Sequence, residues 1–310
     1  MALEGRSRHF GLDLGATNVK WAVLERVGDE WSVPDRGQFP TRAAEGADAV
    51  IERMAGAAER ARAEWGDLAS VGVGVPGLFE AAGGITTFLP NLPPDWERRP
   101  VGGPMRARLG LPVSLVNDAR AFGLAELRLG AGRGCHTMVG LALGTGVGGV
   151  VVVGGEVHFG HDGTGGEVGH QTLLPDGPPC TCGNAGCLEA FAKADAVAAA
   201  CGTDTAEEAV VAAQRGDERA VAGLAEVGRW LGIGISNLVV VLNPDRVVLG
   251  GGVSGAGELL VEPIRAEVRR RVHVTNLDAV EIVTAELGTW AGAIGAGVHG
   301  AAQSVVAATA

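Results

Sequence analysis

The stretch Gly166–Glu189, GEVGHQTLLPDGPPCTCGNAGCLE, holds three of the five cysteines of this 310-residue chain. Cys180, Cys182 and Cys187 follow one another closely, and His170 lies ten residues before the first of them. Thiolate and imidazole groups are the preferred ligands of Zn²⁺, and three Cys with one His complete a closed tetrahedron. The spacing therefore predicts a structural zinc site. The alternatives are a disulfide or three unbonded thiols.

The same stretch carries a long motif. G-E-V-G-H followed by C-x-C-G-x-x-G-C-x-E resembles the signature of the ROK family, whose members are sugar kinases and some sugar-responsive repressors. The resemblance extends over nearly the whole chain and favours the bacterial glucokinase branch. It implies an α/β, two-lobed actin-like ATPase (hexokinase/ribonuclease H-like) fold with a ligand cleft between the lobes. The smaller lobe would comprise residues 1–117 and 290–310, and the larger lobe residues 118–289.

Composition narrows the class of partner. The chain is 46% hydrophobic and only 4% aromatic, which predicts a core of Val, Leu and Ala. A net charge of −11 disfavours nucleic acid, because no basic stripe is available to displace phosphate counterions. It does not exclude ATP, whose phosphates Mg²⁺ and backbone amides can contact. We find no secretory signal and no apolar run of membrane-spanning length, and cysteines at metal-ligand spacing favour the cytoplasm.

Two segments share one pattern of apolar run, small-residue turn and apolar run. Residues 12–23 and 141–152 align without a gap and match at four of twelve positions. Each predicts a β-hairpin whose turn exposes backbone N–H groups, although plain hairpins with glycine turns would look the same. The resemblance implies that both turns bind the phosphates of ATP. Asp13 would hold Mg²⁺ through water, and the phosphate contacts would be Gly15, Thr17, Lys20, Thr145 and Gly146.

A second polar junction follows a predicted strand, Leu111–Val116. Asn117 and Asp118 stand there, directly before a predicted helix at 119–129, where such residues ordinarily cap the helix. In α/β folds the carboxyl ends of strands are also where ligands bind. The resemblance implies that Asp118 is the catalytic base and that Asn117 binds a substrate hydroxyl. The roles are compatible, because a carboxylate can also accept hydrogen bonds from helix amides.

The resemblance also implies a sugar-binding set. Asn91, in the proline-rich loop 87–96, would bind a hydroxyl, although an isolated loop asparagine often only closes an Asx-turn. Glu167 and Glu189 flank the cysteine segment and would bind further hydroxyls together with His170, which would also ligate the zinc. The alternative for the two glutamates is a solvated acidic pair. Pro76-Gly77 resembles the sugar-side loop, and Gly251 and Gly252 resemble the adenosine-side loop; a glycine run alone is a weak signal.

The remaining pattern predicts scaffold. Helices are expected at 47–65, 192–219, 221–242 and 290–306, the last returning to the first lobe. Cys135 and Cys201 are expected in the core. The four histidines without partners at useful spacing are expected on the surface or in loops: His158, His161, His273 and His299.

The function implied is ATP-dependent phosphorylation of a hexose, with glucose converted to glucose 6-phosphate. N-acetylmannosamine, fructose and allose are alternative substrates, because the motif residues do not separate them. A sugar-sensing repressor is disfavoured because only eight residues precede His9, too few for a helix-turn-helix. Polyphosphate as donor is disfavoured by the negative charge and the cysteine cluster. Family resemblance implies a homodimer or homotetramer.

Overall fold

The computed structural model describes residues 5–89 and 91–309, with side chains up to Val305. The chain divides into two compact units, one of Met1–Leu129 with Thr289–Ala310 and one of Gly130–Gly288. The sequence placed the first boundary after residue 117. The structure places it after Leu129, because the helix that follows Asp118 packs against the C-terminal helix of the first unit.

Twelve strands lie in the described part of the chain. They are β1 (Arg6–Leu14), β2 (Asn18–Val27), β3 (Glu30–Pro40), β4 (Ser70–Val75), β5 (Leu78–Glu80), β6 (Ile85–Phe88), β7 (Val113–Asn117), β8 (Met138–Leu143), β9 (Val147–Val153), β10 (Glu156–Val157), β11 (Arg246–Gly250) and β12 (Glu281–Thr284).

Nine α-helices lie in the same residues. They are α1 (Ala47–Trp65), α2 (Gly102–Leu109), α3 (Asp118–Leu129), α4 (Leu188–Ala192), α5 (Ala194–Cys201), α6 (Ala206–Gln214), α7 (Glu218–Leu242), α8 (Glu258–Arg271) and α9 (Ala291–Thr309). The segment 192–219, expected to be helical, contains two helices, α5 and α6, with a break between them. Gly202, in the left-handed conformation, ends α5, and the Thr205 side chain caps α6.

The two units contain sheets of the same design. The first has the strand order β3-β2-β1-β4-β7 and the second β10-β9-β8-β11-β12. In each, an antiparallel hairpin, β1–β2 or β8–β9, is extended by two parallel strands. Both hairpins predicted from the repeated pattern are therefore present.

Each unit has its own apolar core. Strands β1, β4 and β7 pack against α1 and α2 in the first unit, and α7 lies at the centre of the second. Cys135 and Cys201 are buried, as expected. No apolar run of membrane-spanning length was expected, yet α7 has the length and composition to cross a membrane. Half of its most apolar stretch is buried inside the protein. That burial is typical of a core helix.

Helix α9 approaches the first sheet at backbone distance. A Cβ atom at Gly11 would lie 1.8 Å from the carbonyl oxygen of Ala293, and one at Gly72 would lie 1.7 Å from that of Ala296. Only glycine allows strands β1 and β4 to contact the helix backbone in this way. The contact fixes the end of β1, where Asp13 lies. His299, expected on the surface or in a loop, is instead a partly buried residue of α9.

Candidate functional site

The first hairpin brings Asp13 and Lys20 opposite each other. They are register partners in the β1–β2 pair, on either side of a turn whose Gly15 N–H donates to Asn18. The Thr41 hydroxyl, which lies outside the hairpin in the sequence, donates a hydrogen bond of 2.6 Å to the Gly15 carbonyl and stabilises this turn. Thr17 is exposed at the tip. The four residues predicted here thus occupy one turn and its base.

Asp13 lies in an unusual electrostatic environment. Burial and the nearby Asp118 carboxylate raise the pKa of Asp13 to about 6, and Lys20 acts in the opposite direction. Asp13 and Asp118 are therefore close enough to repel each other when both are ionised. Two neighbouring carboxylates supply the oxygen ligands that Mg²⁺ prefers, and a cation there would favour the ionised form of both.

Asn117 and Asp118 form the junction between β7 and α3. The Ala119 N–H lies 2.8 Å from Asp118 Oδ1 and 3.0 Å from Asn117 Oδ1, so both side chains contact the start of the helix. The Asn117 amide also donates to the Gly77 carbonyl at 3.2 Å. The same amide oxygen accepts from Arg120 at 3.0 Å. The junction is thus rigidly held, and it is tied to the Pro76-Gly77 turn.

Asn91 is exposed and has a positive φ of 67°. Asparagine is one of the few residues that adopt this conformation readily, which agrees with a turn role. A turn conformation does not prevent the side chain from contacting a ligand. Its neighbour Pro90, within the predicted loop, lies outside the described residues.

The four predicted zinc ligands converge. One ligand atom from each of His170, Cys180, Cys182 and Cys187 lies within 4.8 Å of all the others. The sulfur atoms of Cys182 and Cys187 are 3.8 Å apart, and His170 Nδ1 is 3.6 Å from Cys180 Sγ. A tetrahedral ion about 2.3 Å from sulfur requires ligand separations of about 3.8 Å. The donor set and the two short separations are therefore compatible with a tetrahedral Zn²⁺.

Backbone hydrogen bonds hold this cluster. Cys180 N–H donates to Asn184, and Gly186 N–H donates to Pro178. A Cβ atom at Gly186, which has a φ of 67°, would lie 1.6 Å from the Leu174 carbonyl oxygen, so glycine is required there. The Asn184 amide lies 3.5 Å from Cys187 Sγ and can orient that sulfur. The loop is thus folded around its own thiols.

The three thiols differ in their acidity. Burial, followed by hydrogen bonds to the neighbouring thiols, raises the pKa of Cys187 to about 12. A backbone hydrogen bond from Asn184 lowers the pKa of the exposed Cys182. A bound metal would reverse the shift at Cys187, because a coordinating thiol is deprotonated outright.

The two glutamates that flank the cluster occupy different environments. Glu167 is exposed and begins the short helical turn Val168–His170. Glu189 is only 8% exposed, and its carboxylate accepts from the Val147 N–H at 3.0 Å and the Thr181 hydroxyl at 3.1 Å. The two therefore do not form a solvated acidic pair.

The remaining predicted nucleotide contacts lie at strand ends of the second sheet. Thr145 is exposed in the β8–β9 turn, and Gly146 lies beside it. Gly251, with a φ of 84°, packs on the backbone of Leu143, where a Cβ atom would lie 2.2 Å from the carbonyl oxygen. Gly252 begins the next helical turn. Glycine at 251 thus brings the end of β11 onto the end of β8.

Sequence reasoning missed three residues that support this site. Arg120 is only 2% exposed and donates a hydrogen bond to the Asn117 amide oxygen. Its position in the sequence, two residues after Asp118, was the one feature that could have suggested a role at this junction. Thr41 and Gly292 reach the Asp13 turn from distant parts of the chain, and no local pattern marks them.

Comparison with known proteins identifies the family of this chain. The family model described as "ROK family" matches residues 9–299. A glucokinase of Halalkalibacterium halodurans is 33% identical over 317 residues, which cover 93% of each chain. Other relatives bear the name xylose repressor.

Solved structures give the same result. The ROK hexokinase of Thermus thermophilus superposes with a TM-score of 0.82 at 36% identity, covering 96% of this chain and 98% of the hexokinase. A ROK family glucokinase of Streptomyces griseus, solved with glucose and AMPPNP, superposes with a TM-score of 0.78 at 30% identity, covering 96% of this chain and all of the glucokinase. These likenesses confirm the predicted α/β actin-like ATPase fold. With the family match over residues 9–299, they show that this chain belongs to the ROK family.

Proposed function

We propose that this protein is an ATP-dependent hexose kinase that converts glucose to glucose 6-phosphate. The observation that carries the proposal is the proximity of two carboxylates, Asp13 near the end of β1 and Asp118 directly after β7. They are close enough for Asp118 to raise the pKa of Asp13. One carboxylate serves the metal–nucleotide complex and the other the acceptor hydroxyl. Similarity to a glucokinase solved with glucose and AMPPNP supports both ligands.

Asp118 acts as the general base. It accepts the proton of the attacking sugar hydroxyl as that oxygen bonds to the γ-phosphorus of ATP, and the broken P–O bond leaves its electron pair on ADP. A carboxylate is ionised at neutral pH and can take this proton from hydrogen-bond distance, which contributes about 10²–10⁴-fold to the rate. The Ala119 N–H at the start of α3 donates to the Asp118 carboxylate and holds it in place.

Positioning of ATP is the larger task in phosphoryl transfer, because the transition state needs charge neutralisation more than covalent help. Asp13 would hold Mg²⁺, which when bound neutralises charge on the phosphates. Gly15, Thr17 and Lys20 would contact phosphate from one hairpin, and Thr145 and Gly146 from the other. Gly251 and Gly252 leave room for the adenosine beside the backbone.

The sugar would be bound by Asn91, Asn117, Glu167, His170 and Glu189. His170 Nδ1 faces the thiols, so that Nε2 is the nitrogen assigned to a sugar hydroxyl. Zinc, held by His170, Cys180, Cys182 and Cys187, would have no open position and would stabilise this segment. When bound, such an ion contributes to the free energy of folding.

A panel of hexoses tests the choice of acceptor. Coupled ADP-release assays with glucose, N-acetylmannosamine, fructose, mannose and allose should give the highest kcat/KM for glucose. A higher kcat/KM for N-acetylmannosamine would reassign the substrate. Sugar binding without ADP release from any hexose would support a regulator in place of an enzyme.

A further inference from the structure

Glu189 is the second residue of α4 and is almost completely buried, with 8% of its surface exposed. Its two carboxylate oxygens point to different parts of the second unit. Oε2 accepts from the Val147 N–H at 3.0 Å, and Oε1 accepts from the Thr181 hydroxyl at 3.1 Å. One side chain therefore connects the first residue of β9 with the loop that holds the cysteines.

The hairpin side of this connection is tight. A Cβ atom at Gly146 would lie 2.5 Å from Glu189 Oε2, so the carboxylate packs against the turn itself. The turn has a second attachment, because the Ala194 N–H donates to the Gly144 carbonyl at 2.8 Å. Two contacts therefore hold the turn that contains Thr145 and Gly146. One comes from Glu189 of α4 and the other from Ala194, the first residue of α5.

A charged acceptor is well suited to this task. Hydrogen bonds to an ionised group contribute more than neutral ones, and a buried carboxylate that loses its donors bears a large desolvation cost. The carboxylate therefore favours the one arrangement in which Val147 and Thr181 both reach it. A sugar-binding role alone explains neither contact, since both donors belong to the protein.

We propose that Glu189 is a positioning residue that fixes the phosphate-binding turn of the second hairpin to the cysteine segment. The affinity for nucleotide then depends on Glu189, a side chain next to the cysteine segment that would bind sugar and zinc. The proposal rests on the function proposed above, because it assigns the Thr145-Gly146 turn to ATP.

We call the connection that Glu189 makes between Val147 and Thr181 the brace. A substitution at Thr181 tests it without altering Glu189. Thr181→Val removes one anchor. Glu189→Ala removes both, together with the contact that Cys180 Sγ makes to Oε1 at 3.6 Å. Thr284→Val, at the exposed end of β12, is the matched control. Binding of a non-hydrolysable ATP analogue with Mg²⁺ and binding of glucose are measured separately by titration calorimetry, and zinc content by elemental analysis.

We expect Thr181→Val to weaken nucleotide binding about tenfold, the equivalent of about 1.4 kcal/mol for one hydrogen bond to a charged group. In Thr181→Val the glucose affinity should stay within about twofold and the zinc content should not change. In Thr284→Val the affinities for nucleotide and for glucose should both stay unchanged. Glu189→Ala should lose more nucleotide affinity than Thr181→Val.

Unchanged nucleotide affinity in Thr181→Val and Glu189→Ala, with glucose binding weakened in Glu189→Ala alone, would overturn the brace and leave Glu189 as a sugar ligand. The kinase proposal would survive that result. Failure of the unsubstituted protein to bind the nucleotide would instead overturn the proposed function, and the brace with it.

Discussion

Gly292, in the first turn of α9, lies against the carboxylate of Asp13. A Cβ atom at this position would be 2.6 Å from Oδ2 and 2.7 Å from Cγ, much closer than real carbon contacts. The C-terminal helix therefore sets the space available to a residue near the start of the chain. Asp13 cannot keep its position if residue 292 carries a side chain.

Gly292→Ala should lower kcat/KM for ATP by about tenfold or more, because the methyl group displaces the carboxylate that would hold Mg²⁺. Gly103→Ala in α2 is the control, since a Cβ atom there meets nothing within 4 Å. Steady-state kinetics with varied Mg²⁺ would check this. Wild-type kinetics in Gly292→Ala would show that Asp13 is not constrained in this way.

Asp13→Asn should inactivate the enzyme and yet stabilise the fold at neutral pH. Folding raises the pKa of Asp13 from 3.8 to about 6, so the folded protein binds this proton more tightly than the unfolded chain does between those values. Ionised Asp13 therefore costs stability above about pH 6, and asparagine removes that cost, worth up to about 3 kcal/mol.

Denaturant unfolding of Asp13→Asn from pH 4 to pH 8 measures this effect. The gain should be present at pH 7 to 8 and should vanish as the pH falls towards 4. Asp67→Asn is the control, because that side chain is 93% exposed. A gain independent of pH would mean that the carboxylate is not destabilised by its surroundings.

His9 should make the protein acid-sensitive. Its ring nitrogens bond Ser70 at 2.8 Å and Ser7 at 2.9 Å, and burial, with a contribution from Arg26, lowers the pKa of His9 to about 4. The unfolded chain binds this proton at the ordinary pKa of 6.5. Stability is therefore complete above about pH 6.5 and falls as the pH drops towards 4, by about 3 kcal/mol from this group.

His9→Gln keeps a hydrogen-bonding side chain but does not titrate. The slope of unfolding free energy against pH between 6.5 and 4 should be smaller in this variant than in the unsubstituted protein. His273→Gln, at an exposed position, should retain the original slope. Equal slopes in all three proteins would exclude His9 as the source.

The cysteine cluster predicts one tightly bound zinc per chain. Cys182→Ser should reduce the metal content severalfold and lower Tm, since three remaining ligands leave a position open to water. Cys201→Ser is the control, because that buried thiol contacts the Ala220 carbonyl and belongs to the α5–α7 packing. Elemental analysis and thermal unfolding provide the measurements; full zinc content in Cys182→Ser would remove Cys182 from the ligand set.

Local patterns predicted the parts of this molecule that are local. The two hairpins, the strand that leads into Asn117 and Asp118, and the cysteine spacing each depend on a few neighbouring residues. The break between α5 and α6 also had a local signal, Gly202 and then Thr205-x-x-Glu208, which the prediction of helical structure over 192–219 did not use.

Strand β3 illustrates what sequence could not supply. Glu30–Pro40 contains Pro34 and Gly37, which ordinarily count against a strand. Both are tolerated because β3 is the edge strand of its sheet, and Gly37 leaves space for the Trp21 ring, 2.6 Å from where a Cβ atom would lie. The contacts of Gly292 with Asp13 and of Glu189 with Val147 likewise depend on long-range approach.

The central claim is that Asp118 deprotonates the sugar hydroxyl, and Asp118→Asn tests it most directly. Asparagine preserves the size of the side chain and the oxygen that contacts Ala119, but it cannot take a proton. We predict that kcat with glucose falls by about 10²–10⁴-fold while the Kd for glucose, measured by calorimetry, stays within a few-fold. Full turnover in Asp118→Asn would contradict the account.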